Sequence, residues 1–103
     1  MSAYLVSDLT VLDGEAFQNY RTRAAEAIVK YGGRYLARGG EIETLEGNWN
    51  PRNIVVAEFP SLDRARAWYR SPEYAQALEF RDKALSRNLI FVDGVDTGMA
   101  KTT

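Results

Sequence analysis

Apolar and polar residues alternate loosely over residues 4–10, which predicts a first β-strand. Asp13 follows and is a residue type that often caps helices. Apolar residues then recur every three or four positions, as on one face of a helix: Phe17, Tyr20, Ala24, Ile28 and Tyr31. The glycine pair at 32–33 ends the predicted helix.

The middle of the chain predicts two more strands. The first spans residues 34–38, is interrupted by the glycine pair at 39–40 and is predicted to resume through Ile42 and Leu45, as at a bulge or bend. The second spans residues 53–59, is rich in β-branched side chains and lies between Pro51 and Pro60.

The remaining residues predict two short helices and a last strand. Ser61 caps the first helix, and Ser71 with Pro72 ends it and begins the next. One face of that third helix is predicted to carry Tyr74, Leu78, Arg81 and Leu85. The last strand is predicted over residues 89–95.

The resulting order, βαββα(α)β, predicts an α+β protein with a ferredoxin-like fold. Its antiparallel four-stranded sheet would carry the helices on one face. Residues 1–95 would form one domain of usual size, and residues 96–103, which are small and polar, are expected to form a flexible tail.

Two of the predicted strands are apolar on both faces, which bears on assembly. In residues 54–59 and 89–92, odd and even positions are both mostly apolar, whereas a sheet with one wet face should alternate. Since the helices can cover only one face, we expect a second copy to cover the other, giving a homodimer. The alternative is that the exposed valines are simply tolerated at the surface.

The composition excludes several function classes. The net charge is −1, which makes a nucleic acid or an anionic membrane an unexpected partner. The sequence has no cysteine and no histidine, so thiolate and imidazole chemistry are absent, and we expect neither a metal nor a cofactor. The first residues lack the features of a signal peptide, and we expect a cytoplasmic protein.

Four segments together resemble one known family. They are residues 30–40, 45–47, 56–61 and 67–74, which include two glycine pairs and the run Trp-Tyr-x-Ser-Pro-Glu-Tyr from Trp68. The chain resembles the family called domain of unknown function 1330 from about residue 4 to residue 95. The resemblance implies a dimeric α/β barrel, related to stress-responsive proteins and to cofactor-free antibiotic-biosynthesis monooxygenases. It supplies no agreed catalytic residue.

Arg38 and Glu58 are the first candidate site residues. By alternation Arg38 shares a face with Leu36, and Glu58 lies beside Ile54 and Val56. An unpaired charge on an apolar face is costly, so Arg38 either binds a ligand carboxylate or enolate, or forms an ion pair with Glu58. Glu58 in an apolar cavity could serve as a general acid or base; paired with an arginine, it would be structural.

Three further candidates lie on the predicted second and third helices. Trp68 and Tyr74 have the spacing of core residues, but their indole and hydroxyl donors could line a pocket. Arg81 either extends to the edge of the apolar face or points into the same cavity as Arg38. The ligand-binding candidates are therefore Arg38, Glu58, Trp68, Tyr74 and Arg81.

Two functions from different classes fit these features. The first is the binding of a small organic acid or aromatic molecule in a cavity between sheet and helices. The alternative is a cofactor-free enzyme, monooxygenase-like or isomerase-like, acting on an activated organic acid or phenol. The missing histidine favours the binding protein, whereas polar groups on an apolar face favour the enzyme.

Overall fold

The computed structural model describes residues 1–95, which form a single four-stranded antiparallel sheet with three helices on one face. The elements in chain order are β1 (Ala3–Val11), α1 (Gly14–Lys30), β2 (Arg34–Arg38), β3 (Asn53–Phe59), α2 (Leu62–Tyr69), α3 (Pro72–Ala84) and β4 (Leu85–Asp93). The strand order β2-β3-β1-β4 confirms the predicted ferredoxin-like fold. The predicted flexible tail, 96–103, lies outside the described residues. No helix within residues 1–95 has the length and apolarity needed to cross a membrane.

All three helices begin at a polar side chain that satisfies free backbone N–H groups. Asp13 accepts hydrogen bonds from the N–H groups of Glu15 and Ala16 at 3.0 and 3.1 Å. Ser61 and Ser71 do the same at the starts of α2 and α3. The caps predicted from the sequence are therefore confirmed.

The last strand, predicted over residues 89–95, was wrong at both ends because β4 ends at Asp93, and the predicted continuation of β2 was also wrong. β4 begins at Leu85 rather than at residue 89, because Leu85 already has extended backbone and pairs with Val11 of β1. The carbonyl of Ala84 accepts bonds from the N–H groups of Leu12 and Asp13, which fixes the chain where α3 ends. Residues 42–45, where β2 was predicted to resume, form no strand.

The sheet has one face covered by helices and one face bare. The odd-numbered residues of β1 and β3 point to the covered face and pack against side chains of α1, α2 and α3. The core includes Ala3, Leu5, Leu9, Ala57 and Phe59 from the strands and Ile28, Trp68 and Tyr74 from the helices. On the bare face, Val6 lies between Val56 and Ile90. Ile90 and Val92 there are 56% and 44% exposed, so the two-faced apolar pattern of the strands leaves an apolar surface uncovered.

β2 contains a bulge that changes which face its last residue occupies. Tyr35 pairs with Ala57 and Ala37 pairs with Val56, so Leu36 is an extra residue in the ladder. Arg38 then pairs with Val55, whose side is covered by helices. Simple alternation from Tyr35 would have placed Arg38 on the bare face.

Gly33 occupies a position at which any side chain would collide with the core. A Cβ atom there would lie 2.8 Å from Ile28 Cγ2 and 2.8 Å from Phe59 Cε1, and Phe59 is fully buried. We predict that Gly33→Ala lowers the free energy of unfolding by about 1–3 kcal/mol, the usual range for overpacking. Gly40→Ala is the matched control, since nothing lies within 4 Å of its Cβ position. Denaturant unfolding checks both, and equal stabilities would contradict the packing described.

Candidate functional site

A cavity of about 150 Å³ lies between α1 and the covered face of the sheet. Its apolar lining comes from three strands and from α1: Leu5, Leu9, Phe17, Ala24, Ile28, Val55 and Leu89. Its polar lining is Ser7, Tyr20, Arg21, Tyr35, Arg38, Asn53, Trp68 and Arg87, with Gly39 beside them. Concave apolar sites with a few placed polar groups are the usual form of small-molecule sites.

The charged groups around this cavity are all positive. Arg21, Arg38 and Arg87 border it, and among the residues the structure describes no aspartate or glutamate does. Guanidinium groups bind carboxylates through paired hydrogen bonds and cannot lose their charge. The described lining is therefore electrostatically complementary to an anion.

Two neutral donors on the cavity wall are buried without a partner. Ser7 Oγ and Trp68 Nε1, in side chains only 3% and 1% exposed, make no hydrogen bond within residues 1–95. Leaving such a group unsatisfied costs about 1–3 kcal/mol, so it calls for an explanation. Both residues line the cavity.

Arg87 joins two buried phenols at the border of the cavity. Its Nη1 donates to Tyr20 Oη and its Nη2 to Tyr74 Oη, while the two phenolic oxygens lie 2.7 Å apart. Burial raises the pKa of Tyr20 far above its usual value, and the neighbouring Tyr74 raises it further, so the Tyr20 phenol stays protonated at neutral pH. Either phenol can be the donor in their mutual hydrogen bond.

Arg38 lies at the end of β2 beside Gly39, and its guanidinium stacks over the ring of Tyr35 at 4.2 Å. The bulge at Leu36 brings these two side chains to the same face. Burial raises the pKa of Tyr35, although the charge of Arg38 opposes that rise. Arg38 is largely exposed, so it marks a solvent-facing side of the cavity.

The structure corrects the predicted pairing of Arg38 with Glu58. Glu58 pairs with Tyr4 of β1 on the bare face, away from the cavity that Arg38 borders. Its carboxylate accepts from Arg34 Nε at 2.8 Å and from Tyr4 Oη at 3.3 Å. These hydrogen bonds hold the pKa of Glu58 below its usual value, and the hydrogen bond from Arg34 has the largest effect. The physical reason is the bulge, which places Arg34 and Arg38 on opposite faces.

The other predicted site residues separate into two groups. Trp68 and Tyr74 are fully buried, and the centroids of their rings lie 4.2 Å apart. Trp68 borders the cavity. Tyr74 does not line it, but its hydroxyl contacts that of Tyr20, which does. Arg81 does not border the cavity of Arg38. It borders a second hollow, together with Tyr69 and Phe91.

Arg87, Tyr20 and Ser7 are site residues that the sequence analysis missed. Arg87 was missed because β4 was predicted to begin two residues after it; alternation from Leu85 would have placed it with Leu89 on the covered face. Ser7 could have been found from the sequence, because it is the one polar residue among the alternate positions of β1 that are buried. Tyr20 was read only as part of the apolar face of α1.

Comparison with known proteins agrees with this architecture. The family model "Domain of unknown function (DUF1330)" matches residues 2–95. The chain belongs to this family. No curated protein matches the sequence significantly.

Several solved structures share the fold of this DUF1330 protein. A protein of unknown function from Rhodopseudomonas palustris, RPA0582, superimposes with a TM-score of 0.75 at 18% identity, over 92% of this chain and 83% of that one. SnoaB, a cofactor-independent oxygenase from Streptomyces nogalater, gives 0.64 at 13% identity, over 97% and 98%. A dimeric ferredoxin-like protein of unknown function from Thermobifida fusca gives 0.63 at 19% identity, over 91% and 92%.

The pairing of Glu58 with Arg34 can be tested by titration. We predict that the Glu58 carboxyl titrates below 4.5 in carbon-detected NMR, and that Arg34→Gln raises its pKa while Arg38→Gln leaves it unchanged. Because the folded-state pKa is lowered, the pair stabilises the fold above the unfolded-state pKa and this contribution is lost as the pH falls through the folded-state pKa. A response to Arg38→Gln instead would contradict the faces assigned here.

Proposed function

We propose that this protein binds a small organic acid with an aromatic body in the cavity between α1 and the sheet. The observation that carries the proposal is the lining: three arginines border the cavity and, within residues 1–95, no acidic side chain does. Ser7 Oγ and Trp68 Nε1 add two unpartnered donors. This set of donors complements a carboxylate together with a further acceptor oxygen.

The size and apolar lining of the cavity favour a flat body for this ligand. A cavity of about 150 Å³ can hold a single aromatic ring. Phe17, Ile28 and Val55 supply the apolar contact for that ring. The carboxylate would meet Arg87, and Arg38 would add a second positive charge where the cavity meets solvent.

Benzoate is a suitable probe for this proposal. The sequence has two tryptophans, so Trp49→Phe leaves Trp68, on the cavity wall, as the only indole reporter. We predict a saturable change in its fluorescence with benzoate and little change with the neutral isostere benzamide. Arg38→Gln should weaken benzoate binding by about tenfold, or 1.4 kcal/mol, because it removes the second positive charge beside the carboxylate.

Arg34→Gln is the matched control for that titration, because Arg34 is also an exposed β2 arginine but pairs on the bare face. Its benzoate affinity should equal that of the parent protein. Equal loss in both variants would indicate only a long-range charge effect. Equal affinity for benzoate and benzamide would contradict an anion site.

A second candidate function is cofactor-free turnover of an activated organic acid or phenol. It is favoured by the buried, uncharged donors on the wall, since Trp68 Nε1 and the Tyr20 hydroxyl could stabilise an enolate or phenolate oxygen. The similarity in fold to SnoaB, described as a cofactor-independent oxygenase, is in keeping with it. Mass spectrometry of a bound phenol after aerobic incubation distinguishes the two functions: an oxygenated product indicates an enzyme, and unchanged phenol a binding protein.

We also propose that the protein is a homodimer and acts in the cytoplasm. The bare face of the sheet presents apolar side chains of three strands: Val6, Ile54, Val56, Ile90 and Val92. A contiguous exposed apolar patch of this kind usually marks an interaction surface. Two fold neighbours, from Thermobifida fusca and Bacteroides fragilis, are described as dimeric. The cysteine-free sequence suits a reducing compartment.

The dimer can be tested with one charged substitution. We predict that the parent protein sediments at about twice 11.6 kDa at micromolar concentration, and that Ile90→Asp on the bare face shifts it to the monomer. Val29→Asp is the control, since Val29 is 69% exposed but lies on α1, away from the sheet. A monomeric parent protein, or dissociation by both substitutions, would contradict a dimer formed through the bare face.

A further inference from the structure

A second hollow of about 350 Å³ lies where α2, α3 and β4 meet. Tyr69 comes from α2, Arg81 from α3, and Arg87, Leu89 and Phe91 from β4. Arg87 and Leu89 border this hollow and the inner cavity alike, so the two spaces share a wall.

The charge around the second hollow is positive and only weakly compensated. Arg81 contacts Asp82, its neighbour in sequence, at 3.3 Å, but the Asp82 side chain is 94% exposed. An ion pair at such an exposed position contributes little and leaves the guanidinium able to bind another anion. Of the described residues that border the hollow, none is an aspartate or glutamate.

Arg87 supplies the second positive charge, and its contacts with the two phenols use only some of its N–H donors. A guanidinium carries five N–H donors, and Arg87 gives one to Tyr20 and one to Tyr74. The remaining N–H groups can reach an acceptor without breaking the contacts with the phenols. Two arginines from different elements therefore converge on one open space.

Aromatic rings form the other side of the hollow. Tyr69 and Phe91 meet edge to face, with centroids 6.3 Å apart and planes at 88°. Tyr69 is 40% exposed, and its ring also contacts the core aromatics Trp68 and Tyr74. Rings at this angle present one edge and one face to a planar guest, which is a favourable geometry for aromatic packing.

We propose that this hollow is a second ligand site, specific for an aromatic carboxylate. The carboxylate lies between the guanidinium groups of Arg81 and Arg87. The ring of the ligand packs against Tyr69 and Phe91. A bare phosphate or sulfate would use only the arginines and leave the aromatic surface uncovered, so the aromatic acid is the favoured class.

The test is an NMR titration with benzoate that follows the backbone amides and the arginine Nε–H groups. We expect saturable shifts at Arg81 and Phe91, with no such shifts for benzamide, and much weaker ones for inorganic phosphate. Arg81→Gln should weaken the response at Phe91 by about tenfold. It should leave the shifts at Ser7 and Arg38, in the inner cavity, unchanged.

Variants of the two spaces separate this proposal from the proposed function. Arg38→Gln should weaken binding in the inner cavity only. If shifts at Ser7 and Arg38 never occur while those at Arg81 and Phe91 do, the proposed function fails and the second site stands. Absence of saturable shifts at Arg81 and Phe91, or an unchanged Phe91 response in Arg81→Gln, overturns the second site. Tyr69→Leu, at a partly exposed position, provides an independent variant in which benzoate should again bind more weakly.

Discussion

The hydrogen bonds from Arg87 to Tyr20 and Tyr74 are the contact on which the site depends. They connect β4 to α1 and α3, the two helices that pack against each other above the sheet. They also hold a positive charge between two cavities whose described lining contains no acid. One guanidinium thus contacts both phenols and borders both spaces.

We propose a ligand because, among residues 1–95, no acidic side chain borders either space beside this charge. A partly buried cation that, within residues 1–95, donates to phenol oxygens and to no carboxylate has lost water without gaining an opposite charge. Unpaired groups of this kind concentrate where function requires them. Binding an anion would restore the balance, and the apolar lining from α1 and β3 would select one with an aromatic body.

Most of the fold could be predicted from local signals in the sequence. Asp13, Ser61 and Ser71 are good caps, and the β-branched run of β3 lies between prolines, so these boundaries were correct. The order of elements was then sufficient for the ferredoxin-like topology. These features depend on backbone hydrogen bonds and apolar spacing within a few residues, which the sequence displays directly.

The site was harder to predict because it depends on register. One extra residue, Leu36, moves Arg38 to the covered face and separates it from Glu58, whereas the glycine pair at 39–40 had indicated a bulge or bend beyond Arg38. The start of β4 depends on contacts between Ala84 and the β1–α1 connection, residues distant in sequence. If β4 is not known to begin at Leu85, the sequence does not show which face of the sheet Arg87 occupies. Its contact with Tyr20 then cannot be predicted.

The most direct measurement of the central claim is the unfolding of Arg87→Met by denaturant, with and without benzoate. If an anion completes the site, the variant without ligand should lose no more than about 1 kcal/mol of stability, since removing an uncompensated cation offsets the lost hydrogen bonds. Benzoate should stabilise the parent protein through mass action and leave the variant unaffected. A loss of about 3 kcal/mol or more, the cost of breaking a buried pair, with the benzoate effect retained, would contradict the account.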